Sequence, residues 1–455
     1  MTERSLFQEP NDSSRDEEAP RKPDAPWAGR RRIRAAVRNQ VQFQQCSLDE
    51  LIPDDHQARA VWDYVCQMDL SELLSRIQAV EGGPGQAPPD PRIMMSLWLY
   101  ATLRGVGSAR QLTDLCVKHT AFKWICGGVS MNYHTLSDFR TAHEDLLDRL
   151  LTDSVAVLMH EELVTLDRVA QDGMKVRASA GAASFRRRPT LEECRLEADE
   201  QVRRLREELK ENPGASTMRQ QAARERAVRE RVERVRRAIE QLPNVEAAKK
   251  PKERDKARAS TSDPDARVMK MGDGGFRPAY NVQFATDTQS HVITGVEVTT
   301  SGSDRGQLLP MVQQHEARYN RRPQEMLVDG GFVKNEDIEQ IAQPSPTAPQ
   351  GTTVYAPVMQ SKDSSRDPHT PRDDDAPAVA QWRQRMATPE AKEIYTERAA
   401  TAECTNAQAR NRGFYRVTVR GTPKVRVMAL WYALAHNLLR TLTLRAERDL
   451  LPIIG

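Results

Sequence analysis

From about residue 45 to residue 151, apolar positions recur at helical spacing. The stretch 91–101, Pro-Arg-Ile-Met-Met-Ser-Leu-Trp-Leu-Tyr-Ala, has the apolar density of a core helix, and Gly105 and Gly107 follow its end. Ser108 is placed to cap the next helix. Residues 132–140 follow a Gly-Gly turn and predict a short helix of recognition type. Short helices joined by Gly turns suit a helix-turn-helix-like DNA module or, equally, a small helical bundle with no DNA role.

The periodicity then changes. Residues 163–172 alternate as a strand ending at Asp172, and 280–286 with 291–299 predict a hairpin joined by Asp287-Thr288-Gln289-Ser290. A helix over 305–319 leads to a strand ending at Asp329. A helix over 335–342, a short strand over 352–358, a helical pattern carrying Glu403 and an apolar C-terminal helix follow. That order predicts an α/β domain with a mixed sheet. Between the first strand and the hairpin lies a charged insertion. Ala198, Val202, Leu205 and Leu209 make one apolar stripe; Val228, Val232, Val235, Ile239 and Leu242 make another, with Asn212-Pro213-Gly214 between them. This pattern predicts two helical arms packed on each other. Residues 246–262 read as a basic linker, and 343–379 as a surface loop around one strand. His436, Asn437 and Arg440 interrupt the apolar run 427–444, which predicts a buried helix and no membrane span.

Composition refines this division. A chain of 455 residues exceeds one ordinary domain, and a hydrophobic share of 38% leaves room for exposed stretches. Residues 1–44, rich in Pro, Asp, Glu, Ser and Arg, are expected to be disordered. The net charge of +3 is too small to argue for nucleic acid, and isolated basic runs are usually solvated. Six scattered cysteines without a CxxC pair give neither a zinc spacing nor a disulfide framework, and they fit a reducing compartment. The polar N-terminus predicts no signal peptide. The domain division expected is a tail at 1–44, a helical domain at 45–155, an α/β domain from 156–182 and 263–445, an inserted hairpin and linker at 183–262, and a tail at 446–455.

Three acidic residues carry the candidate chemistry. Asp172 and Asp329 each follow an apolar run and precede Gly, which allows close backbone approach beside a carboxylate at a sheet edge. If their strands are parallel neighbours, the carboxylates converge, and the helix with Glu403 has only to pack on that face. Two aspartates and a glutamate are hard oxygen ligands of the kind Mg²⁺ takes, and two such ions can hold the attacking and leaving oxygens of a phosphoryl transfer. Arg398, Arg410 and Arg412 suit DNA phosphates through their bidentate geometry, or are helical surface charges. Tyr395 is either core or a phosphate contact. His134 and His143 read as packing or DNA-backbone residues, His436 as a satisfied core histidine, and Trp98, Trp124 and Trp431 as core. Cys404 is expected to face the core and has no redox role.

From about residue 45 to 445 the chain resembles a bacterial insertion-sequence transposase of the DDE type. The resemblance rests on Asp263-Pro264-Asp265-Ala266-Arg267, on 274–283 (Gly-Gly-Phe-Arg-Pro-Ala-Tyr-Asn-Val-Gln) and on Val328-Asp329-Gly330-Gly331-Phe332. It rests also on 403–413 (Glu-Cys-Thr-Asn-Ala-Gln-Ala-Arg-Asn-Arg-Gly) and on 433–438 (Ala-Leu-Ala-His-Asn-Leu). It implies an RNase H-like mixed sheet with flanking helices and an N-terminal helical domain that helps recognise terminal inverted repeats. It implies Asp172, Asp329 and Glu403 as catalytic, metal-binding residues for two Mg²⁺ or Mn²⁺ ions. It also resembles the Tyr, Arg, Glu, Lys signature of related transposases, on Tyr395, Arg398 and Glu403 with Arg410 in the Lys position. The Arg398 to Glu403 spacing is one residue longer than in the best-known version. Tyr395, Arg398, Asn406, Arg410, Arg412 and Arg140 are then the expected DNA contacts. The activity implied is cleavage at the element ends and transfer of the 3′-OH to target DNA, with no covalent protein intermediate. The partners implied are double-stranded DNA and a second copy of the chain, in the cytoplasm on the nucleoid. The rivals are an RNase H-like nuclease without strand transfer, an inactive DNA-binding or regulatory relative, and a scaffold built on the hairpin.

Overall fold

The computed structural model describes residues 47–79, 87–211, 217–360 and 366–448. The expected disordered tail, the Asn212-Pro213-Gly214 break and most of the 446–455 tail lie outside these. Seven helices come first: α1 (Gln57–Cys66), α2 (Ser71–Ser75), α3 (Pro91–Leu103), α4 (Ala109–Lys118), α5 (Thr120–Cys126), α6 (Tyr133–Ala142) and α7 (Glu144–His160). Their starts are chemically marked. Ser108 accepts from the Gln111 amide to cap α4, and Asn132 accepts from His134 to cap α6. Gly127, at φ +55°, closes α5 in the left-handed conformation.

The strands β1 (Arg168–Arg177), β2 (Phe185–Arg186) and the arms α8 (Arg188–Glu211) and α9 (Met218–Ala247) follow. Next come β3 (Ala259–Ser260), β4 (Arg267–Lys270), β5 (Phe276–Asp287) and β6 (Ile293–Thr299), then α10 (Leu308–Tyr319) and β7 (Glu325–Leu327). The chain continues through α11 (Asn335–Ala342), β8 (Thr353–Tyr355), α12 (Pro377–Ala387) and α13 (Pro389–Arg398). A π-helical turn (Ala399–Glu403) leads into α14 (Cys404–Asn411), and α15 (Thr422–Glu447) closes the described chain.

The fold is α/β. The sheet runs β6-β5-β1-β7-β8, with β4 beside β6 on the same edge of β5. β1 pairs antiparallel with β5 and parallel with β7, and β8 is parallel to β7. Three antiparallel strands continued by two parallel ones form the mixed sheet expected of an RNase H-like core.

Three differences from the sequence reading have physical causes. The first strand does not end at Asp172; it runs to Arg177, so Asp172 lies inside it. The apolar run 163–166 looked like its beginning, but Glu162 and Leu166 sit at φ +56° and +57°, which an extended strand excludes. Residues 246–262 are not merely a linker. A short 3-10 turn over Pro251–Lys256 leads to β3, which pairs with β2 and closes the base of the inserted hairpin. Cys404 is exposed and not turned to the core.

Two cores flank the sheet. Met174, Val282, Phe284 and Val296 share one with Trp98 of α3, Leu147 of α7 and Trp431 of α15, so the first helices and the last are packed together. Met326, Leu327 and Val354 share the other with Met311, Ile338 and Trp382. Along α15 every residue from Val427 to Leu438 is buried, which explains why it is apolar up to His436 and Asn437. Among the described residues no helix is long and apolar enough to cross a membrane. His436 is buried, with Nε2 2.9 Å from the carbonyl of His291.

Candidate active site

Strand alternation sets the site. Asp172, Met174 and Val176 point to one face of β1, while Gln171, Gly173 and Lys175 point to the other. On the Asp172 face lies the α13–π–α14 segment, anchored to the same strand by Arg168. That guanidinium bonds Glu325 of β7 at 2.6 Å and also Glu397 of α13. One residue later Arg398 reaches two carboxylates: Nη2 lies 3.0 Å from Asp172 and Nη1 2.9 Å from Glu403. Asn406, a turn further on, donates to the other oxygen of Asp172 at 2.9 Å.

The π turn makes this possible. In an α-helix, residues five apart lie on different faces, because one turn takes 3.6 residues. The wider turn over Ala399–Glu403 absorbs one extra residue and returns Glu403 to the face of Arg398. The Arg-to-Glu spacing that is one residue longer than the best-known signature thus has a structural equivalent.

Asp329 lies two residues beyond the end of β7, after the buried Val328, as the residue before a 3-10 turn, and is exposed. Because β7 is the parallel neighbour of β1, with Ala170 opposite Leu327, continuing that register sets Asp329 opposite Asp172. The negative charges of Asp329, Glu403 and Asp172 all act on Tyr395, whose hydroxyl burial pushes above its ordinary range. Burial likewise raises the Asp172 carboxyl, against the lowering effect of Arg398 and Asn406. The same three carboxylates raise Arg398, which stays cationic.

Both glycines after the aspartates sit where a side chain would collide. A Cβ at Gly330 would fall 2.9 Å from the Pro357 carbonyl. A Cβ at Gly173 would intrude on Asp304 and lie 2.5 Å from Gln283 Nε2 and 2.8 Å from Asn281 Oδ1. Those groups form a polar network on the far face of the strand that sequence reasoning did not single out. Asp304 accepts from Asn281 at 2.6 Å, Gln283 at 2.7 Å and Lys175 at 3.1 Å. The signal available was the polar alternation Asn281, Gln283 inside an otherwise apolar strand.

The donor set is suited to a hard divalent cation: three carboxylates, and the buried Asn406 Oδ1, which has no partner among the described residues. The carboxylates are nonetheless spread around Arg398, and among the described residues no three His, Cys, Asp or Glu side chains gather closely enough to hold a metal ion as they stand. Arg410 is exposed and makes no ion pair among the described residues. Arg412 and Arg140 make no ion pair with the carboxylates among the described residues; both line a separate cavity.

Comparison with known proteins bears on both ends of this arrangement. Residues 46–142, comprising α1 to α6, match the family model described as Transposase domain (DUF772). Residues 360–442, comprising α12 to most of α15 and carrying Arg398, Glu403 and Asn406, match the model described as Transposase DDE domain. Comparison with curated proteins and with solved structures gave no match. Two transposase models thus match separate parts of the chain, the helical segment before the sheet strands in sequence and the Glu403 segment after them, and both support the resemblance to the DDE transposases of insertion sequences.

Proposed function

We propose that this protein cuts DNA at the terminal inverted repeats of an insertion sequence and transfers the freed 3′-OH ends to target DNA, with Asp172, Asp329 and Glu403 as its catalytic residues. The observation that carries the reading is the joining of Asp172 and Glu403 through one guanidinium at the edge where Asp329 follows the neighbouring parallel strand.

The chain's own groups divide the work. Asn406 fixes one oxygen of Asp172 and leaves the other to Arg398. Arg398 balances two carboxylates, which offsets their mutual repulsion before substrate arrives. Asp329 and Glu403 are exposed, so both carboxylates are open to an incoming strand. Mg²⁺ or Mn²⁺ bound by the three carboxylates would supply activation of the attacking oxygen and neutralisation of the leaving one. The helices of 45–155 serve as the module that reads the repeats, 156–182 with 263–445 as the catalytic part, and 183–262 as an inserted arm. A pair of chains holds the two element ends, and the work is done on cytoplasmic, nucleoid DNA.

The test is purified protein with a duplex carrying the repeats that flank its own gene, in Mg²⁺ or Mn²⁺, for wild type and Asp329→Ala. End-specific cleavage and joining by wild type alone is the expected result. Cleavage that survives Asp329→Ala refutes the triad. Cutting without joining identifies a nuclease, and binding without cutting by either protein identifies a DNA-binding regulator.

A further inference from the structure

A cavity of about 70 Å³ lies where the Gly105-Val106-Gly107 turn after α3 meets the Arg412-Gly413 turn after α14. The two turns touch through backbone. Gly105 and Gly413 hold φ of +68° and +83°, and a Cβ at Gly105 would fall 3.3 Å from the Arg412 carbonyl. Three arginines line the cavity: Arg140 from α6, and Arg412 and Arg416. None of them forms an ion pair among the described residues.

Their surroundings make that unusual. Arg140 lies 4.7 Å over the Trp98 ring, and its guanidinium donates to the Gly107 carbonyl. Burial lowers its pKa to about 10. Arg412 Nη1 is buried and has no hydrogen-bond partner among the described residues. Burying a cation without an anion is expensive, and a guanidinium satisfies phosphate by paired N–H donors. Gly105, Gly107, Gly413 and Arg416 at the rim are exposed, so the cavity opens to the surface. Its volume suits one tetrahedral oxyanion and little more.

We propose that this cavity seats a single phosphate oxyanion, supplied by the DNA backbone, between Arg140 of the N-terminal helices and Arg412 of the DDE segment. The choice of DNA as the source rests on the function proposed above. Arg412 lies six residues beyond Asn406, about 9 Å at helical rise, and DNA advances about 3.4 Å per nucleotide along one strand. Two or three nucleotides of one strand span that rise, which is the reach the seat asks of a strand held at Asp172. The seat couples the repeat-reading helices to the catalytic sheet through one contact shared by both.

The experiment has two arms, on the full chain. In the first, binding of an element-end duplex is followed by fluorescence anisotropy across a KCl series for wild type and Arg412→Gln. Loss of one phosphate contact reduces the slope of log K against log salt by about one, with roughly tenfold weaker binding at the low-salt end. In the second, thermal unfolding is followed in sodium phosphate against KCl of equal ionic strength; wild type gains stability in phosphate and Arg412→Gln does not. Arg140→Lys, which keeps the charge above Trp98 but loses the paired donors, is the second variant should Arg412→Gln not fold, and it shifts both readings in the same direction. Equal slopes and equal phosphate responses in folded variants overturn the proposal. A phosphate response lost without any change in DNA slope overturns the DNA source. If neither protein binds DNA, the function proposed above fails, and the phosphate arm alone decides whether the anion seat exists.

Discussion

Replacing Arg398 by Ala removes the one group that touches both Asp172 and Glu403, and its cost follows from their exposure. The Asp172 side chain is 21% exposed and that of Arg398 10%, so their bond is a largely desolvated, charge-assisted one worth about 1.5–3 kcal/mol. Glu403 is 57% exposed, and its ion pair is screened to about 0–1 kcal/mol. The expected loss of folding stability is thus about 1.5–4 kcal/mol, read by urea denaturation at neutral pH. A second consequence concerns protons. Burial already raises the Asp172 carboxyl, and Arg398 opposes that rise. Without Arg398 the carboxyl titrates at still higher pH, so the acid limb of a cleavage profile, which needs the carboxylate, moves upward. Arg398→Lys separates the contributions: one ammonium reaches one carboxylate, so it keeps part of the stability while Glu403 is left unheld. An Arg398→Ala protein within 0.5 kcal/mol of wild type (a margin typical of neutral surface changes) with an unmoved acid limb would refute the reasoning.

Three further outcomes follow from the geometry. Deleting Ala400 removes the residue the π turn absorbs and leaves Arg398 and Glu403 four apart on one face of an α-helix; cleavage is retained, whereas inserting an alanine at the same place turns Glu403 away by about 100° and abolishes it, and a folded but inactive deletion would sink the role given to the turn. Gly173→Ala forces Asp304 away from Asn281 and Gln283, two charge-assisted bonds at about 1.5–3 kcal/mol each, and lowers stability by about 3–6 kcal/mol in a melt compared with wild type. His315 and His436 are held neutral by burial, each lowered to about 4. Because these folded values lie below the unfolded one, their contribution is complete above pH 6.5 and is lost as pH falls toward 4, by at most about 3 kcal/mol each. The fall in melting temperature between pH 7 and pH 5 should be smaller in His436→Gln than in wild type, and an identical fall would count against it.

Much of this arrangement was legible in the residues. The apolar alternation located β5 and β6, the Asn335–Ala342 helix came out with its observed bounds, and the glycines after Asp172 and Asp329 announced close backbone approach. What was hidden is non-local. The run 163–166 is as apolar as a strand because it is buried, and only its backbone angles show that it turns. Arg398 was legible as a cation beside the acids, yet nothing in the spacing of Arg398 and Glu403 told that a π turn would bring them together. Both Arg140 and Arg412 read as contacts to DNA, Arg140 on the N-terminal helices and Arg412 beside the carboxylates. They are more than 270 positions apart in sequence, and only the packing of α3 and α6 against the α14–α15 turn brings them to one cavity.

The core that α3 and α7 share with α15 has a consequence for synthesis. Trp98 and Leu147 leave the ribosome long before Trp431, which they need to complete their packing. At roughly 5–20 residues per second, the roughly 300 residues between α3 and α15 take on the order of 15–60 s to appear. Throughout that interval the first helices expose the apolar surface that α15 will cover. A chain that stops before α15 leaves them exposed permanently, so premature termination yields an aggregation-prone fragment rather than a free-standing helical domain, and nascent chains depend on chaperones for about as long as their own translation lasts.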